Sequence, residues 1–203
     1  MTDSPLRVDP ISPVIGAEIS GIDLSAPLTP EVVETLHQAM MTHLVLFFRD
    51  QALSFEQHKA FGRHFGDLHI RPAAPKVGDH PEILVVHGDA TVKFVAGELW
   101  HSDVSCDVEP PMGSILYIHT VPPDGGGDTM FASMYAAYDT LSDSMKDFLG
   151  GLQARHESRH VHGGRYEYKG KLRDGEDVYP EAVHPVVRTH PVTGRKGLYV
   201  NSG

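Results

Sequence analysis

One cysteine stands in the whole chain, Cys106, so no disulfide can close within it, and the bridge-stapled scaffolds of oxidising compartments are excluded. No apolar run is long enough to cross a bilayer, and Met1 to Pro13 is polar and proline-containing where a secretion signal would be apolar. A reducing cytoplasm is the expected address. Basic residues are scarce: 17 Lys and Arg stand against 27 Asp and Glu, for a formal net charge of -10. They are also dispersed rather than gathered into a stripe, so nucleic acid is not an expected partner. Internal repeats, low-complexity tracts and long polar linkers are missing too, which leaves one globular domain over 1–203 as the expectation. Self-association is left open.

What the chain does have is apolar residues enough for a core, 40% of the total, and fourteen histidines. Histidine is the commonest metal ligand and a frequent acid-base group, but each one needs a context before it means chemistry.

Pro13 to Gly21 alternates loosely between Pro and Gly and reads as a short strand entering a turn. Thr29 before Pro30 and Glu31 marks a helix start, with Val32, Val33, Leu36, Ala39 and Met40 lining one face. His43 to Phe48 reads as an apolar strand. Ser54 to Gln57 offers a capping box for a second helix carrying Phe55, His58, Phe61 and Phe65. Short strands are expected at Ile83 to Val86, Met112 to His119, Val183 to Arg188 and Gly197 to Asn201, and short helices at Ser133 to Thr140 and Ser142 to Leu149. Many short strands with a few peripheral helices favour a mainly β sandwich or jelly roll over a doubly wound sheet.

Trp100-His101-Ser102-Asp103 sets a histidine and an aspartate two apart, and on an extended chain both side chains leave the same face. An imidazole nitrogen and a carboxylate oxygen can then take adjacent corners of a metal. Iron(II) oxygenases use two histidines and one carboxylate on one octahedral face. The spacing alone is weak evidence, because His87-Gly88-Asp89 repeats it where a strand meets a turn, and His80-Pro81-Glu82 is a turn as well.

The surroundings separate the first pair from the second. After it come Glu109-Pro110-Pro111-Met112-Gly113-Ser114-Ile115-Leu116 and Gly126-Gly127-Asp128-Thr129. Before it come Ile15 to Gly21, Phe47-Phe48-Arg49-Asp50-Gln51 and Phe65-Gly66-Asp67-Leu68-His69, and near the end His184-Pro185-Val186-Val187-Arg188-Thr189-His190-Pro191. In this order the motifs resemble the taurine dioxygenase family, also named for its phenoxyalkanoate-degrading members, over essentially the whole chain.

The resemblance implies a double-stranded β-helix, a jelly roll with peripheral helices, whose open end holds iron(II) through His101 and Asp103. It implies that Thr129 holds the distal carboxylate of 2-oxoglutarate. The implied activity is hydroxylation of a small organic substrate by molecular oxygen, coupled to decarboxylation of 2-oxoglutarate to succinate and carbon dioxide. Sulfonates, alkyl sulfates and carboxylates are the candidate substrates. Arg71 stands where taurine dioxygenase has a sulfonate-binding histidine, and Ala74 and Gly97 replace its nearby tyrosine and asparagine, which disfavours taurine. Arg71 is open between pairing with an anionic head and a solvated loop role. His69 and Val104 are further candidates to line the pocket. Ser158 to Asp177, with Tyr166 and Tyr168, reads either as a mobile lid or as a surface excursion.

The sequence stops at Asn201-Ser202-Gly203, where the family pattern runs on into the second half of the jelly roll. That half carries the third ligand, a histidine, and the arginine that pairs with 2-oxoglutarate. A C-terminally incomplete chain is therefore expected. His184 and His190 belong to a motif that is strand and turn in the family, and neither is assigned as the missing ligand. The alternative from another class is a non-catalytic β-sandwich binding module that keeps the scaffold without a complete metal site.

Overall fold

A computed structural model describes residues 5–70, 77–88, 97, 99–159 and 180–201. The chain divides into two compact units, each assembled from three separate stretches: 1–66, 115–141 and 189–197 in the first, and 67–114, 142–188 and 198–203 in the second.

The first unit is built on a strand, helix and strand. β1 (Arg7–Pro10) pairs antiparallel with β2 (Ala17–Ser20), and β2 pairs in parallel with β3 (Leu46–Phe48). Parallel neighbours need a crossover, and α1 (Pro30–His43) supplies it. Thr29 caps α1 by accepting the Val32 N–H, with Pro30 in the first turn, where its missing N–H costs nothing. Its apolar stripe buries Leu36 and Ala39 against Ile19, Leu24 and Phe61. Phe61 comes from α2 (Phe55–Arg63), whose capping box is complete: Ser54 Oγ accepts the Gln57 N–H, and Gln57 Oε1 accepts the Ser54 N–H. Phe65 lies past the end of α2 and still packs edge-on against Phe61, 5.4 Å between ring centres.

Gly16 makes the β1–β2 connection possible. Its φ is +94°, and a Cβ there would come within 2.8 Å of the Ile11 side chain. Only glycine meets both conditions. α3 (Met134–Asp139) also belongs to this unit, capped by Ser133, and Tyr135 is its buried residue.

The second unit holds α4 (Asp143–Leu149), capped by Ser142, and an antiparallel pair, β4 (Gln153–Glu157) with β5 (Glu181–Pro185). β5 alternates strictly, burying Ala182 and His184 while Glu181, Val183 and Pro185 face out. β6 (Val187–Thr189) and β7 (Lys196–Leu198) flank a turn in which the His190 N–H donates to the Arg195 carbonyl at 2.8 Å.

All four expected helices form. The strands expected at Ile83–Val86 and Met112–His119 do not: among the described residues neither segment has a ladder partner. A strand is defined by its neighbour, and an apolar run without one stays an extended segment. Leu116, Ile118, Val121 and Met130 are accordingly exposed. The one long apolar stretch after His43 also splits, because His43 ends α1 and Leu44 turns the chain at φ +67° before β3 begins. β1 and β4, both largely polar, were not expected. No helix among the described residues is long and apolar enough to cross a membrane.

Candidate metal centre

His101 and Asp103 converge. The imidazole Nε2 and carboxylate Oδ1 lie 3.3 Å apart, although the segment is not in a strand and runs directly into a turn over residues 103–106. The expectation of an extended strand is corrected here, while the convergence of the two side chains stands.

The remaining polar atoms of both side chains are occupied in a way that leaves these two facing outward together. His101 Nδ1 lies 2.7 Å from the Leu99 carbonyl, which can only accept, so Nδ1 donates there and Nε2 is the nitrogen turned toward Asp103. Asp103 Oδ2 accepts the Ser114 hydroxyl at 2.5 Å, while Oδ1 is the oxygen turned toward His101. Metal-binding histidines and carboxylates are commonly oriented by outer hydrogen bonds of this kind. Two donors on bonds of about 2.1 Å at a right angle would lie about 3 Å apart, close to the observed separation. The donor set therefore fits a divalent metal. Both side chains are partly open, at 36% and 46% exposure, so solutes can reach them. Gly97, at φ +84°, lies beside the ring, and a Cβ there would sit 3.4 Å from His101 Cε1.

The turn after the pair is tightly tied. Val104 has φ +54°, a left-handed conformation that a β-branched residue adopts only under constraint. His69 Nε2 meets Asp107 Oδ2 at 2.9 Å, so this side chain is engaged with the turn rather than free in a pocket. His184 Nε2 reaches the carbonyls of Ser105 and Asp107, and Asn201 Nδ2 donates to Ser105 Oγ. No spacing in the sequence points to Ser114, Ser105, Asp107 or Asn201, and His184 lies in a motif that reads as strand and turn.

Thr129 is an exposed residue of the first unit. Arg71, Asp89 and residues 160–177 of the lid candidate lie outside the described residues. His87 is exposed at the end of its segment. Among the described residues no group of three His, Cys, Asp or Glu could hold a metal ion.

A family profile, "Taurine catabolism dioxygenase TauD, TfdA family", matches residues 7–203. The chain belongs to this family. Within the TauD/TfdA family it is 34% identical, over 97% of its length and 49% of the other's, to the alpha-ketoglutarate-dependent sulfonate dioxygenase of Saccharomyces cerevisiae. It is 32% identical to the alpha-ketoglutarate-dependent sulfate ester dioxygenase of Pseudomonas putida, over 95% of this chain and 65% of that protein. The structure is similar to that of a taurine dioxygenase from Burkholderia xenovorans, with a TM-score of 0.73 and 31% identity over 97% of this chain and 63% of the other. The chain thus spans about half the length of the yeast relative and about two thirds of the bacterial one.

Proposed function

We propose that this chain is the part of an iron(II)- and 2-oxoglutarate-dependent dioxygenase that carries two of the metal's protein ligands, and that the whole protein hydroxylates a small anionic organic compound. The observation that carries the reading is the convergence of His101 Nε2 and Asp103 Oδ1, each aimed by a hydrogen bond at its other end. The jelly-roll architecture belongs to the same reading, and so does a reducing cytoplasm in which iron(II) and the thiol of Cys106 both persist.

When bound, iron(II) supplies the redox chemistry that couples decarboxylation of 2-oxoglutarate, with release of succinate and carbon dioxide, to hydroxylation by molecular oxygen. The chain's own residues hold and orient. His101 donates its Nδ1 proton to the Leu99 carbonyl, which orients the ring so that Nε2 is the nitrogen offered to the metal. The Ser114 hydroxyl stops the Asp103 carboxylate from rotating and lowers the chance that both oxygens turn to one metal. Thr129 is assigned to the distal carboxylate of 2-oxoglutarate, where its hydroxyl donates. Arg71 is the candidate for the anionic head of a sulfonate, alkyl sulfate or carboxylate, and it fits such a planar or tetrahedral anion better than a lysine would.

The test is anaerobic addition of iron(II) and 2-oxoglutarate to the full-length protein. A weak visible charge-transfer band is expected, lost in His101→Ala with the fold retained. A full-length protein that shows no band, and makes no succinate with any sulfonate, alkyl sulfate or carboxylate, overturns the reading and favours a binding module.

A further inference from the structure

We propose that His184 is a positioning residue for the metal pair: it pins the turn that leaves Asp103 and so fixes the direction in which that carboxylate points. The inference rests on the metal-site reading above.

His184 is 6% exposed on the inward face of β5. Its Nε2 lies 3.0 Å from the Ser105 carbonyl and 3.0 Å from the Asp107 carbonyl. Carbonyls only accept, so Nε2 carries the proton and donates to both. The imidazole cannot swing away, because His156 and Tyr199 stand edge-on to it, each 5.3 Å between ring centres. A rigid donor thus grips two alternate carbonyls of one turn.

That turn needs gripping. Val104 stands in the left-handed region, at φ +54°, and such a conformation in a β-branched residue persists only where the surroundings over-determine it. The turn's own closing bond, from the Asp107 N–H to the Val104 carbonyl at 3.1 Å, is one constraint. His184 adds two, His69 adds one at the Asp107 carboxylate, and Asn201 adds one at the Ser105 hydroxyl, 3.3 Å away. These side chains come from three distant stretches of sequence. All act on residues 105 and 107, and none of these bonds uses the Asp103 side chain, which is left to Ser114 and to a metal. A clamp that only stabilised the β4–β5 pair would have no reason to load its bonds onto the residues next to a ligand.

Two amide substitutions of similar polarity separate positioning from plain structural support. The side-chain N–H of His184→Gln can reach as far as the imidazole Nε2–H, whereas that of His184→Asn falls short. Cobalt(II) is titrated into each variant, with affinity and visible spectrum recorded beside the thermal midpoint. His184→Asn is expected to weaken cobalt(II) about tenfold or more and to alter its spectrum, as loss of an outer hydrogen bond commonly does. His184→Gln should restore both toward the wild-type values. A folded His184→Asn with wild-type affinity and spectrum overturns the proposal. Should that variant fail to fold, Asn201→Ala decides, since it cuts a single part-buried tie to the same turn: a smaller loss of affinity supports the proposal and none overturns it. If His101→Ala binds cobalt(II) as well as the wild type, or the wild type binds none, it is the metal-site reading that has failed, and the role of His184 falls with it.

Discussion

Asp103 uses its two carboxylate oxygens differently, and the difference can be measured. Oδ2 accepts the Ser114 hydroxyl while Oδ1 faces His101. Ser114→Ala should therefore leave the ligand in place but let it rotate, weakening divalent-metal binding about tenfold in a calorimetric titration with little change in stability, because Ser114 is exposed. Unchanged affinity would mean that the hydroxyl orients nothing. Gly16 makes the opposite case, a residue with no chemistry whose replacement is costly. Gly16→Ala meets both the clash with Ile11 and a φ of +94°, so denaturant unfolding should show a loss on the order of 2 kcal/mol. The pair His101 and Asp103 was legible because its motif is local. Its supports were not: Ser114 is eleven residues from Asp103, and His184 is 79 from Ser105. No periodicity or spacing joins residues so far apart; only folding brings them together.

At the scale of the element, the helices followed their end signals and the strands did not follow their runs. Thr29, Ser54, Ser133 and Ser142 each accept a backbone N–H from the first turn, and each is visible in sequence as a hydroxyl before a helical pattern. Ser54→Ala removes one half of the reciprocal box and exposes the Gln57 N–H, so a loss of about 1 kcal/mol is expected in chemical denaturation. A helix closes its hydrogen bonds within itself, so its ends can be read locally. A strand borrows its bonds from a partner. That is why Ile83–Val86 and Met112–His119, with sound apolar runs, form no ladder among the described residues, whereas the polar β4 does, opposite β5. The burial alternation of β5 is not legible either, because apolar Val183 faces out and polar His184 faces in.

For the molecule as a whole, acid should act in two separated steps, with one sensitive histidine in each unit among the described residues. In the first unit, burial holds His58 below its ordinary 6.5, outweighing a hydrogen bond with the Ile115 backbone. In the second, burial holds His156 below 6.5, helped by His184 and Arg188 and opposed by a hydrogen bond with the Tyr199 backbone. A histidine that is harder to protonate when folded favours the unfolded chain once protons are plentiful. Its contribution is complete above pH 6.5, falls as the pH drops from 6.5 to the depressed folded value, and then levels off. Asp23 and Glu31 lie below their ordinary 3.8 and 4.5 for a different reason: Asp23 accepts from the Ser25 hydroxyl and N–H, and Glu31 from its own backbone N–H and the Thr29 hydroxyl. Their contribution persists above those values and is lost only in stronger acid. The thermal midpoint, followed from pH 8 to 3 in the presence of a chelator so that metal ligands take no part, should fall first just below 6.5 and again below about 4.5. Joint replacement of His58 and His156 by glutamine should flatten the first step and spare the second. A first step that survives both replacements would place the acid sensitivity in other groups, and the burial of these two rings would then cost the fold nothing that pH can reveal.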